Sequence, residues 1–73
     1  MATEVFAPMQ GKVVELLVAE GDEVEEDEPI LSLEALKMKI PVVSPADGTV
    51  EKFCVQVGQE VEGDTVLALI DED

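Results

Sequence analysis

Apolar residues along this chain come in short runs separated by glycine, proline and clusters of acids, and no window repeats them at the i, i+3, i+4, i+7 spacing of an amphipathic helix. β-Branched runs punctuated in this way predict an all-β barrel or sandwich. The runs place strands at 4–7, 12–18, 29–35, 39–43, 49–55 and 65–70, with short strand steps at Val24 and Val61 after the turns that start at Gly21 and Gly58. Within 12–18 the apolar positions are Val13, Leu16 and Val18. A strict period of two would put Val13 and Leu16 on opposite faces. One extra residue near Val14-Glu15 restores a single inward face, so a β-bulge is expected there. Val50, Phe53 and Val55 repeat the spacing, which predicts a second bulge near Glu51-Lys52.

That second bulge belongs to a larger duplication. Residues 7–34 overlay residues 44–71 at a constant shift of 37 without a gap, matching Pro8 with Pro45, Gly11 with Gly48, Gly21 with Gly58, Val24 with Val61 and Asp27 with Asp64. A solenoid needs at least about three such units to bury its faces, so two copies must close on each other. The expected architecture is one domain over 1–73, all-β: a flattened barrel (barrel-sandwich hybrid) of two four-stranded antiparallel sheets with internal pseudo-two-fold symmetry. Two tight turns also align, Glu25-Glu26-Asp27 and Glu62-Gly63-Asp64. Gly63 suggests positive φ at its position, so Glu26 is expected to be strained there, with Glu26→Gly stabilising by about 1 kcal/mol. Cys54 aligns with Leu17 and is expected to be an inert, small apolar filler on a strand.

The segment around Lys37, just past Glu34, lies outside that overlay. Shifting Lys37 by one repeat in either direction falls just off the chain, so under the two-fold it is expected at one pole, with Met1 and Asp73 at the other. Between the flanking strands there is room only for a tight hairpin with Leu36-Lys37 at its tip. A two-residue hairpin favours a primed turn, with positive φ at both central positions and Asn-Gly as the natural pair. Leu-Lys is a poor local choice, and poor local chemistry at a tip is where function rather than folding can set the sequence. A surface-turn lysine is ordinarily a solvated charge, and Leu36 and Met38 can be simple hairpin packing. Tip, symmetry and flanks together single out Lys37; Lys39 reads as a surface charge at the start of the next strand.

Composition narrows the chemistry. At 73 residues and 47% hydrophobic, with no Trp or Tyr, the chain has enough for an aliphatic core and not for an aromatic ligand box. A formal charge of −14 repels nucleic acid and anionic membranes, both of which demand clustered Lys and Arg. One cysteine and no histidine remove the disulfide, the thiolate cluster, the usual general base and the commonest metal ligand, so the chain reads as non-catalytic. The acidic runs 22–28 and 71–73 carry oxygen ligands suited to Ca²⁺ but without calcium-loop spacing, and no metal is expected. Met1-Ala2-Thr3-Glu4 lacks a signal-peptide pattern, and a cytoplasmic location is expected.

Glu34-Ala35-Leu36-Lys37-Met38 resembles the Glu-Ala-Met-Lys-Met attachment motif of the biotinyl (biotin carboxyl carrier) domains of biotin-dependent carboxylases and decarboxylases. Ala7-Pro8-Met9-Gln10-Gly11 is similar to the opening of that family, and Gly21-Asp22-x-Val24 to its first turn. The resemblance implies a flattened barrel in which a biotin protein ligase joins biotin to the ε-amine of Lys37. It further implies that the biotin shuttles a carboxyl group between a biotin carboxylase component and a carboxyltransferase or decarboxylase component. Leu36 departs from the usual Met; the volumes are close enough for packing to tolerate the change. The thumb-like insertion of some bacterial acetyl-CoA carboxylase carriers is absent, which points to a decarboxylase or an acyl-CoA or pyruvate carboxylase carrier. Two alternatives share the expected fold: a lipoyl domain of a 2-oxo-acid dehydrogenase complex, typically Asp-Lys-Ala around the lysine, and an unmodified barrel acting as a structural adaptor.

Overall fold

A computed structural model describes residues 2–72. Eight strands form in chain order: β1 Ala2–Phe6, β2 Gly11–Leu16, β3 Glu23–Val24, β4 Pro29–Ala35, β5 Met38–Val43, β6 Gly48–Phe53, β7 Glu60–Val61 and β8 Val66–Asp71. They assemble into two antiparallel four-stranded sheets, ordered β1-β8-β6-β3 and β5-β4-β2-β7. Shifting every strand of the first sheet by one repeat gives the second in the same order. Each sheet takes two strands from each half of the chain, so neither copy has a complete sheet without the other. The barrel is elongated, 35 × 18 × 17 Å.

The registers repeat as well. Lys12 pairs Glu34 on one side and Glu60 on the other, and its mate Thr49 pairs Asp71 and Glu23. The ladders shift between Val13 and Glu15, and between Val50 and Lys52, so both expected bulges are present. Their effect is the one the spacing requires: Val13, Leu16 and Val18, and likewise Val50, Phe53 and Val55, all face the interior. The core is then a set of symmetric pairs, Val5 with Val42, Val24 with Val61, Ile30 with Leu67, Leu31 with Ala68 and Leu33 with Ile70, all buried. Ser32 and Ser44 are buried polar residues, Ser44 completely so where the other half has Ala7. The Ser44 hydroxyl donates to the Ala46 carbonyl at 2.6 Å, which satisfies it.

Two expectations need correction. The strained position of the paired turns lies one residue later than Gly63 suggests: Asp27 has φ 70 and Asp64 φ 67, while Glu26 and Gly63 are not in the left-handed region. Asp tolerates that region because its short polar side chain can bond locally, so both copies solve the turn identically and Glu26 carries no strain. Each turn is closed by matching backbone bonds, Asp27 N–H to Ser44 C=O at 2.8 Å and Asp64 N–H to Ala7 C=O at 3.0 Å. Cys54 is not an apolar filler: it is exposed and lies just past the end of β6. The bulge that turns Phe53 and Val55 inward necessarily turns the residue between them outward, and Leu17 is exposed for the same reason.

The expected opposition of Lys37 to Met1 and Asp73 lies outside the described residues. Among those described, Ala2 pairs Asp71 in one sheet and Ala35 pairs Met38 in the other.

Candidate functional site: the Lys37 hairpin

Strands β4 and β5 pair from Pro29–Val43 to Ala35–Met38, leaving Leu36 and Lys37 as a two-residue tip. Leu36 has φ 51 and Lys37 φ 64, the primed-turn conformation that the loop length demands. For residues with a Cβ this conformation costs about 1–2 kcal/mol each. Neither side chain recovers that by burial: Leu36 is 91% exposed, Met38 is 65% exposed, and Lys37 is exposed between them. Among the described residues the Lys37 ammonium has no ion-pair partner. Lys39 differs, with its Nζ 2.7 Å from Glu15 Oε1 across the sheet.

The rigid ladder beneath the tip fixes where it projects. Glu34 and Ala35 close β4, Glu34 exposed and Ala35 half-buried, opposite Lys39 and Met38. Beside them β2 begins at Gly11, where an added Cβ would lie 2.9 Å from the Glu34 carbonyl oxygen. Only glycine allows this approach, so the segment Ala7 to Gly11 serves as the buttress of the hairpin. Buried Ala7 anchors that segment, donating its N–H to Thr65 C=O at 2.8 Å. Met9, Gln10 and Gly11 then run past Ala35 and Leu36, leaving a shallow groove whose floor includes Lys12, Glu34 and Glu60.

The five motif residues Glu34, Ala35, Leu36, Lys37 and Met38 are thus contiguous in space as in sequence. Gly11, Lys12 and Glu60 join them without having been singled out as site residues. Gly11 was legible in principle, because the repeat keeps it as Gly48. Glu60 comes from the other half of the chain, and only the β2–β7 ladder brings it near.

Fold and site together define a carrier-type module: a small barrel whose one distinctive presentation is a lysine held outward on a strained hairpin. The chain belongs to the biotin-requiring enzyme family, whose model matches residues 3–70. It is 46% identical to the biotin carboxyl carrier protein of acetyl-CoA carboxylase from Solanum lycopersicum, over 92% of this chain and 97% of that one. It is 40% identical to mitochondrial pyruvate carboxylase of Mus musculus over 93% of this chain but only 6% of that enzyme. Among solved structures the urea carboxylase of Kluyveromyces lactis matches 97% of this chain and 6% of its own at a TM-score of 0.93 and 27% identity. The chain therefore spans nearly the whole of a small carrier protein and a small fraction of the multi-domain carboxylases. Within its family it is a biotin carrier, the cofactor being held covalently.

Proposed function

We propose that Lys37 is the residue that bears the biotin. In this reading the chain is the non-catalytic carboxyl carrier of a biotin-dependent carboxylase or decarboxylase, loaded by a biotin protein ligase. The observation that carries the reading is the hairpin tip: an exposed amine, without an ion-pair partner among the described residues, on a left-handed backbone position that folding alone would give to glycine.

Amide formation needs an unhindered amine to attack an activated acyl group, and the tip offers Lys37 to a ligase pocket with no element of the barrel above it. Lys39 is held laterally by Glu15, which favours the neighbouring lysine as the single target. Once bound, biotin supplies the carboxyl-carrying chemistry, while the protein supplies reach and presentation. The rigid β4–β5 ladder fixes the base of the arm; the aliphatic stem of Lys37 provides its swing. The net charge of −14 favours transient docking onto basic partner surfaces, with association slowing as salt rises. The lack of a thumb-like insertion does not select the acceptor, because the Solanum lycopersicum relative that this chain nearly spans is named for acetyl-CoA carboxylase.

Co-expression with a biotin ligase, followed by intact-mass measurement, tests the assignment. One biotin adduct is expected on the unaltered chain and on Lys39→Arg, and none on Lys37→Arg. Labelling that survives Lys37→Arg would sink it, and a lipoyl mass instead of a biotinyl one would redirect it to the lipoyl alternative.

A further inference from the structure

Two grooves share three positions under the pseudo-two-fold, Glu23 with Glu60, Asp47 with Gln10 and Gly48 with Gly11, and otherwise differ. One, away from the hairpin, is lined by Glu23, Glu25, Glu28 and Asp47 and is anionic. The other lies against the hairpin, and there Gln10 stands at the mate of Asp47 and Met9 at the mate of Ala46. The difference is sharpest in the row of paired residues that crosses each sheet beside these shared positions. Beside the hairpin the row is Glu34–Lys12–Glu60; at its mate it is Asp71–Thr49–Glu23. Directly opposed residues of neighbouring strands place their side chains about 5 Å apart on one face of a sheet. A carboxylate, an ammonium and a second carboxylate therefore stand in line, and among the described residues none of the three has an ion-pair partner.

We infer that this groove is a resting site for the ring of the cofactor borne by Lys37, an inference that rests on the attachment proposed above. A cyclic urea presents one carbonyl acceptor between two N–H donors. The row presents the complement: the Lys12 ammonium donates to the carbonyl, and the carboxylates of Glu34 and Glu60 accept from the N–H groups. Met9, Ala35 and Leu36 offer apolar surface to the thioether ring and the aliphatic arm. An exposed site of this kind is weak, which suits a group that must leave for each transfer. Tethering compensates, because a short flexible linker holds its end at an effective concentration of about millimolar, enough to half-fill a millimolar site. The mate row offers no ammonium: its central residue, Thr49, has only a neutral hydroxyl to donate.

Amide chemical shifts of uniformly labelled protein, compared between biotinylated and unbiotinylated forms, test the site without any partner enzyme. Shifts are expected at Gln10, Gly11, Lys12 and Glu34 as well as at the attachment hairpin, and none at Asp47, Gly48 and Thr49. Contacts from the ring protons to the Met9 methyl are expected alongside. Lys12→Gln, which removes the ammonium without setting a third carboxylate between Glu34 and Glu60, should abolish the distal shifts in the purified biotinylated fraction. Shifts confined to residues 36–38 in a fully biotinylated sample would overturn the resting site alone. A sample that the ligase cannot biotinylate would overturn the attachment, and this inference with it.

Discussion

Gly11 and Gly48 occupy the same place in the two halves of the barrel, each beginning a strand against the backbone of the strand that ends its half. At Gly48 an added Cβ would lie 2.4 Å from the Asp71 carbonyl oxygen and 2.9 Å from Ile70 Cγ2. At Gly11 the closest atom is the Glu34 oxygen at 2.9 Å, with the next contacts at 3.5 Å. The Gly48 corner is thus packed tightly against core, and the Gly11 corner more loosely against the base of the hairpin proposed to bear the cofactor. Duplicated architecture sets where both glycines must be; the use of each corner sets how much slack it has.

The largest effect expected from breaking this comparison is at the tighter corner. Gly48→Ala forces the β6–β8 ladder apart and should destabilise by about 3 kcal/mol, the upper range for overpacking, leaving the rate of biotinylation of the folded fraction unchanged. Gly11→Ala should destabilise by about 1 kcal/mol, the lower range, but displace Glu34 and slow biotinylation. Urea unfolding combined with a ligase time course separates the two. Equal stability losses with equal labelling would mean that the corners are interchangeable and that Gly11 does not buttress the hairpin.

The hairpin tip itself supplies the next test, with the opposite sign. Leu36 and Lys37 each sit at positive φ, and replacing the pair by Asn-Gly installs the residues this turn prefers. Relief of two left-handed residues should raise stability by about 2 kcal/mol while abolishing attachment. No gain in the urea midpoint would show that the tip is not held against its local preference. Leu36→Met, at a side chain 91% exposed, should leave stability within about 0.5 kcal/mol of the parent. Any change in labelling it brings then belongs to recognition by the ligase.

How far the sequence reveals all this depends on whether a feature is local or made by closure. The bulges at Val13–Glu15 and Val50–Lys52 follow from three apolar positions whose spacing is incompatible with one face, and the interleaved sheets follow from having only two copies. The primed turn at Leu36-Lys37 follows from loop length alone. Lys12 between Glu34 and Glu60 does not, because it needs the β2–β4 and β2–β7 registers together. Alignment of Cys54 with Leu17 does not imply burial, because the bulge turns both positions outward. Glu26 differs for another reason: glycine at one copy of a turn does not by itself demand positive φ, and here that demand falls on Asp27 and Asp64.

The paired turns therefore yield the smallest and most discriminating contrast. Glu26 and Gly63 have ordinary negative-φ backbones, and a Cβ at Gly63 would meet only the Met9 backbone, at 3.7 and 3.9 Å. Alanine fits there in ordinary van der Waals contact, and it narrows the unfolded ensemble. Gly63→Ala should accordingly stabilise by about 0.5 kcal/mol. Glu26→Gly makes the reverse exchange at the mate and should destabilise by about 0.5–1 kcal/mol. It also places a more flexible residue where the N–H donates to Asp47 Oδ1 at 2.7 Å. Opposite signs for the two substitutions in urea unfolding establish that the second copy carries glycine without a conformational need. Matching signs would mean that the two turns, for all their shared backbone bonds, are not the same structure used twice.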